Sequence, residues 1–337
     1  DGSANSAGAD KTAVVSGVQS TSRFGIKGSE DLGSGITAKF QLESGISVGS
    51  GANSQQSASG SVLFDRLAFV GLSTSVGELQ VGRNTNAPYD FAAQGITDPL
   101  AQALDGLNAP VGTASTAARI NQSITVVGST NGFKTTRSDG ELKYTNNIGP
   151  ATVVASYGPG GVAGDRNAKS SYSLGAKASV SGVTGAVSTF NAKDASGNNL
   201  KVISYGATAP VGPVTVTAGY HKVDTDAGYV PANLTTVAAS QTILGGVAGT
   251  TVKVADVGVK YQVTPKLSTT VAYYNGKYSN ATQNGKMDTY VVWNQYDLSK
   301  RTAAYVEVDH TRVQGDLTST SLATNNLGAT VGVRHTF

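Results

Sequence analysis

The chain has no cysteine, one methionine, one tryptophan and three histidines in 337 residues. Without thiols there is no disulfide framework and no thiolate metal site to organise a fold. The histidines, His221, His310 and His335, are too scattered for metal-ligand spacing, and no nucleophile stands beside a base. No metal, cofactor or catalytic group is therefore expected. Charge is also scarce, at 14% of residues against about 25% in soluble domains. The net charge of +3 is too small to imply a nucleic-acid partner. No run approaches the ~18 apolar residues of a spanning helix, and mean hydropathy is -0.12. The opening DGSANSAGAD is polar and is not a signal peptide. Two classes are left: a soluble all-β protein, or a closed β-barrel in a membrane, where backbone groups must be satisfied internally.

Glycine (42) and tyrosine (14, against 8 phenylalanines) are plentiful, and residues alternate in character along much of the chain. In Asn326 to Phe337, Leu327, Ala329, Val331, Val333, His335 and Phe337 share one side of a strand, with Gly328, Thr330, Gly332, Arg334 and Thr336 on the other. In 301–313, Ala304, Val306 and Val308 oppose Tyr305, Glu307 and Asp309. Two acids on one strand face belong in a wet lumen rather than a packed core. The same alternation predicts strands at 20–29, 35–48, 61–73, 77–84, 138–147, 150–158, 169–180, 183–193, 199–210, 213–223, 251–262, 266–276, 286–297, 301–313 and 326–337. Glu30 to Gly33 reads as the first tight turn, and 159–168, 224–250, 277–285 and 314–325 as long polar loops. Strands of ~9–11 residues, joined by short turns at one end and long loops at the other, describe an outer-membrane barrel. Such single-chain barrels have an even strand number. Fifteen legible strands thus predict one more, upstream of this sequence. Trp293, Tyr296 and Phe337 are assigned to the aromatic girdles. Residues 85–136 lack clear alternation.

Ser20 to Gly45 (STSRFGIKGSEDLGSGITAKFQLESG) closely resembles the general diffusion porins of Gram-negative bacteria, above all the β-proteobacterial and neisserial branch. Leu63 to Asn84 resembles the family's next hairpin, and Tyr296 to Thr302 (YDLSKRT) with Gly332 to Phe337 (GVRHTF) resembles its last hairpin and carboxyl end. The family's V-T-L-Y-G-like opening strand and the P-E-F-G-G turn of enterobacterial members are not found. The resemblance implies an all-β, transmembrane, antiparallel up-and-down β-barrel of sixteen strands. It implies a single domain over 1–337, with 85–136 as a third long loop folded inward to constrict the pore. It also implies a homotrimer, contacts with outer-membrane lipid and lipopolysaccharide, and delivery by the outer-membrane barrel assembly machinery, with Phe337 as the assembly signal.

The expected function is passive diffusion of small hydrophilic solutes and ions through a water-filled constriction, with a weak preference for anions. By position in matching motifs, the basic wall is Arg23 (STSRFG), Arg83 (VGRN) and Arg137 (TRSDGELKY), extended by Lys39. The facing loop offers Asp90, Asp98, Asp105 and Arg119. Opposed charges across a narrow gap set up a transverse field that favours polar solutes. Arg83 shares parity with Leu79 and Val81, so it reaches the lumen only if its strand bulges; Arg66, sharing parity with Ala68 and Val70, has the same difficulty. Three rival readings remain: a channel of this architecture selective for sugars or organic anions, a surface-exposed structural or adhesive β protein, and an enzymatic barrel. The last needs a catalytic pair at the rim, and Asp309 and His310 point to opposite faces.

Overall fold

The computed structural model describes residues 12, 14, 16–52, 62–101, 136–229, 249–316 and 325–337. Within them the chain forms β1 (Arg23–Gly33), β2 (Ile36–Gly45), β3 (Leu67–Thr74), β4 (Gly77–Thr85), α1 (Ala87–Ala93), β5 (Arg137–Ile148), β6 (Ala151–Gly158), β7 (Ser171–Val180) and β8 (Val183–Lys193). There follow β9 (Asn199–Val211), β10 (Val214–Thr225), β11 (Thr251–Gln262), β12 (Leu267–Ser279), β13 (Asn284–Asp297), β14 (Thr302–Gly315) and β15 (Asn325–His335). All fifteen described strands belong to one sheet, in chain order, each antiparallel to its neighbours. None of the described helices is long and apolar enough to cross a membrane. Residues before β1 reach the inner face of the far strands: the Gln19 side chain bonds that of Gln295 on β13. Val18 is buried in one cluster with Trp293 and Tyr305.

Alternation decides which face looks where. On β14, Val306 and Val308 are 44% and 43% exposed, whereas Glu307 and Asp309 between and beside them are 0% and 1% exposed. Val257, Val259, Val271, Val331 and Val333 are exposed in the same way on other strands. A continuous apolar outer face is a liability in water and a requirement in lipid.

The inner face is not polar throughout. Near the long-connection end of β8–β14 it carries Phe190, Leu200, Val202, Val252, Val254, Tyr274, Tyr278 and Met287, buried together with Leu100 and Tyr229. An apolar lining is stable there because chain from the long connections packs over it and keeps it from water. Trp293 belongs to this inner set rather than to a girdle. Its odd-numbered position on β13 points inward, and its ring stacks on Tyr305 at 4.7 Å. Tyr296, of opposite parity, is exposed outward.

Several strand ends differ from the alternation reading: β2 stops at Gly45 and β3 begins only at Leu67, and two turns move as well. β1 continues to Gly33 and the chain turns at Ser34 and Gly35, because Asp31 Oδ1 accepts the Gly33 N–H at 2.9 Å and Gly33 still pairs with Ile36. The loop read at 277–285 shrinks to 280–283, since β12 and β13 pair out to Ser279 and Asn284.

Candidate constriction site

The stretch without alternation opens with a helix. Asn86 caps α1 by accepting the Tyr89 N–H at 3.1 Å, and a proline stands in its first turn. Proline is tolerated there because its missing N–H would have no helical partner. Ala87, Phe91 and Ala92 are buried, and α1 rests on the inner faces of β7, β8 and β9.

Beyond α1, residues 95–100 run along the wall towards β12. The approach is close enough to require glycine beneath it. A Cβ at Gly219 of β10 would lie 2.1 Å from the Thr97 carbonyl oxygen, and one at Gly258 of β11 would lie 2.3 Å from Pro99 Cβ. Two polar tethers hold the segment down. His221 Nε2 lies 2.8 Å from the Thr97 carbonyl and 3.1 Å from Asp256 Oδ2, while Nδ1 lies 2.8 Å from Ser204 Oγ. A carbonyl only accepts, so Nε2 donates to Thr97. Two strands further on, the Tyr274 hydroxyl donates to Asp98 Oδ1 at 2.7 Å, and the Leu100 N–H donates to the same atom at 3.0 Å. Burial, reinforced by Asp256, raises the Asp98 carboxyl to a pKa of about 6 against the pull of those bonds and of His221.

On the opposite side, α1 and the wall enclose a cavity of about 370 Å³ lined by Arg23, Arg66, Arg137, Glu43, Tyr89 and Asp90, among others. Glu43 Oε1 is shared by two guanidiniums, Arg66 Nε at 2.6 Å and Arg23 Nη1 at 3.8 Å. Arg137 stacks over the Tyr89 ring at 4.8 Å and donates to its hydroxyl at 3.3 Å. Asp90 projects from the first turn of α1, receives the Thr85 hydroxyl at 2.6 Å and pairs with Lys143 of β5 at 2.6 Å. The cavity lining thus sets three cations, Arg23, Arg66 and Arg137, against two carboxylates, Glu43 and Asp90, and the second of these is already paired with Lys143.

Seen from the sequence, this set is part expected and part new. Arg23, Arg137 and Asp90 come together at the cavity. Arg83 lies beside it, held by the Asp65 carbonyl at 2.7 Å and by the Asp139 carboxylate. The register of β4 on β5 shifts between Gly82 and Asn84, which is the bulge its parity demands. Lys39 is separate: it pairs with Glu78 at 2.7 Å, roughly 13 Å along β2 from Glu43. Asp98 does not line the cavity; it faces the far wall, buried against Tyr274. Asp105 and Arg119 lie outside the described residues. Arg66, Lys143, Tyr89 and His221 are the additions. Arg66 escapes the parity argument because β3 begins only at Leu67. Its backbone has already left the strand, and its side chain turns in to Glu43.

The model of the Gram-negative porin family matches residues 1–316. The chain belongs to that family. Curated relatives include an outer membrane porin protein of Bordetella pertussis, 41% identical over 100 residues, which are 29% of this chain and 24% of that protein. The major outer membrane protein P.IA of Neisseria meningitidis serogroup C is 42% identical over 73 residues, 22% of this chain and 16% of the relative. The aligned segments thus span about a quarter or less of these relatives' length. Among solved structures, the anion-selective porin from Comamonas acidovorans superposes with a TM-score of 0.74 at 18% identity, covering 100% of this chain and 96% of the other. Salmonella typhi OmpF in complex with daunomycin gives 0.65 at 17% identity, covering 99% and 94%. At such identities the likeness is one of fold. This porin therefore shares the antiparallel, up-and-down barrel architecture of its structural neighbours.

Proposed function

We propose that this porin forms a water-filled channel in the bacterial outer membrane through which small hydrophilic solutes and ions diffuse passively, with a weak preference for anions. It performs no bond chemistry; the constriction sorts solutes by width and charge. The observation that carries the charge reading is the excess of three guanidiniums over two carboxylates lining the 370 Å³ cavity, one of those carboxylates being already paired with Lys143. Low-dielectric walls concentrate that field, so anions are drawn in and cations slowed. The Comamonas neighbour is described as anion-selective, but at its identity only the fold carries over, and the preference proposed here rests on this chain's residues. The role of 85–136 as the constricting loop of a single barrel domain is supported by the inner-face position of its described part, 86–101.

The test is conductance of the purified protein in a planar bilayer under a salt gradient. Stepwise openings with a reversal potential of anion sign are expected. A clear cation preference would overturn the charge assignment and leave the pore standing. Vibrio cholerae OmpT has a solved trimer form. A homotrimer is proposed for this porin too, and openings should then come in triplets. Contacts with outer-membrane lipid and lipopolysaccharide, and delivery by the barrel assembly machinery through the exposed Phe337, belong to the same proposal.

A narrower version has its own support. Arg66 is 2% exposed, yet among the described residues its Nη1 has no hydrogen-bond partner. A guanidinium edge of this kind suits a carboxylate, which favours organic anions among permeant solutes. Saturable block of the ion current by a dicarboxylate, absent with its diamide, would establish selectivity; linear dependence on concentration would exclude it.

A further inference from the structure

One row of the outer face is made of lysine. Lys222 of β10 pairs directly with Lys253 of β11, Lys253 with Lys277 of β12, and Lys277 with Lys286 of β13. Neighbouring strands lie about 4.8 Å apart, so four ammonium groups stand in a line roughly 15 Å long. Lys201 of β9 and Arg312 of β14 flank it. Like charges directly opposite one another on a sheet repel. Against these six cations this end of the face offers four carboxylates: Asp224, 2.7 Å from Lys222; Asp288, 2.9 Å from Lys286; Asp226, held by Asn199; and Asp316, which accepts the Asn284 N–H. Among the described residues, the two central lysines, Lys253 and Lys277, have no ion-pair partner. The two central lysines therefore face like charge on both sides with no internal pair to offset it.

Its place on the wall points to what answers it. The lysines share strand parity with the outward residues Tyr205, Val257, Val271 and Tyr290, and sit where β9–β13 meet the long connections. Two to four residues nearer mid-strand on the same face come Tyr205 and Tyr220, with ring centroids 5.2 Å apart, and Tyr273 and Tyr290, 4.8 Å apart. Paired outward aromatics mark a membrane–water boundary, so the ammonium groups lie ~7–13 Å further along the strands, beyond that boundary. At the turn end of the same strands the outward positions are Val211, Val214, Tyr261, Leu267 and Tyr296, and the cations at that end, Lys266, Lys300 and Arg301, sit in the turns rather than in a row along the wall. The asymmetry selects one leaflet. A free anion needs no apolar wall below it; a headgroup with acyl chains does. A second copy presenting the same row would be repelled.

We propose that the row Lys222–Lys253–Lys277–Lys286 is a docking site for the headgroup of an outer-leaflet glycolipid carrying more than one phosphate. The proposal rests on the barrel reading above, and it supplies that reading with a place for its lipid partner. The lysine stems lie along the apolar wall while their ammonium ends reach the phosphates. The length of the row exceeds a single phosphate and fits two bridged by a sugar.

The test uses the full-length protein in phosphatidylcholine vesicles, with and without diphosphorylated lipid A, and reads co-retained lipid by native mass spectrometry after detergent exchange. Three proteins are compared: wild type, Lys253→Gln/Lys277→Gln, and Lys253→Arg/Lys277→Arg. Retention should fall roughly 30-fold in the glutamine pair, since each lysine near an anionic surface is worth about one factor of five or six. It should return in the arginine pair and resist millimolar inorganic phosphate. Equal retention by the folded glutamine pair, displacement by inorganic phosphate alone, or a changed oligomeric state in place of lost lipid would each overturn the proposal. Conductance of the wild type tests the channel separately, so a pore without lipid retention refutes the docking site alone.

Discussion

Replacing Gly219 with alanine adds one carbon at the point where the inward segment lies flush with the wall. That carbon would stand 2.1 Å from the Thr97 carbonyl oxygen and 2.8 Å from Asp256 Oδ1. Ordinary contact requires the segment to retreat by about 1 Å. The bond from His221 to Thr97, now 2.8 Å, would then stretch beyond useful range. Overpacking of this kind costs about 1–3 kcal/mol, and the lost hydrogen bond adds about 0.5–1.5 kcal/mol. Together, roughly 2–4 kcal/mol shifts the ratio of seated to lifted segment by about 30- to 1,000-fold. The backbone pairing of Gly219 with Gly206 and Asp256 needs no side chain, so the barrel itself should survive. A segment lifted from the wall fills more of the bore. Single-channel conductance should fall and its open-state noise should rise, further in the Gly219→Ala/Gly258→Ala pair. Gly185→Ala is the control, since the nearest atom to its added carbon is 3.9 Å away. If Gly219→Ala conducts like the wild type and the Gly185 control, the segment does not set the bore.

Other expectations follow from the same geometry. Arg23→Ala should move the reversal potential towards cations and widen the pore, while Arg66→Ala should also leave Glu43 without its 2.6 Å partner, at a cost of about 3–5 kcal/mol for a broken buried pair; a reversal potential unchanged in both removes them from the selective surface. Tyr274→Phe deletes the donor to Asp98 and should loosen the segment by about 1–3 kcal/mol, visible as added current noise with an unaltered melting curve for the sheet. The raised carboxyl of Asp98, at about 6, binds its proton more tightly in the folded chain than in the unfolded one. Its contribution to stability is therefore full below the ordinary carboxylate range and is lost as pH rises through about 6. Melting temperatures of the wild type should fall across that window more steeply than those of Asp98→Asn; parallel curves would show that Asp98 is not the group responsible.

The strand pattern was legible because each strand writes its two environments into alternate residues, as Glu307 and Asp309 against Val306 and Val308 make plain. Strand ends were not, because hydrogen-bond pairing carries β12 and β13 past the point where polar residues read as loop. That is why Lys277 reads as part of a connection, and the lysine row is not legible at all: it exists only in the register between strands. The basic wall was half legible. Arg23 and Arg137 sit in recognisable motifs, whereas Arg66 and Lys143 join them through contacts with Glu43 and Asp90 that local sequence does not encode. Asp98, expected on the loop opposite the basic wall, lies on the far side for the same reason: only the fold brings it to Tyr274, 176 positions away.

That separation bears on how the molecule is put together. Thr97 and Asp98 are tied to partners 124 and 176 positions further along the chain, on β10 and β12. Residues 97–98 therefore lack these two tethers until those strands stand side by side, from whichever end pairing proceeds, although α1 before them already rests on β7, β8 and β9. The inward segment is thus fixed in two stages, its helix first and its far half only when the later strands are in place.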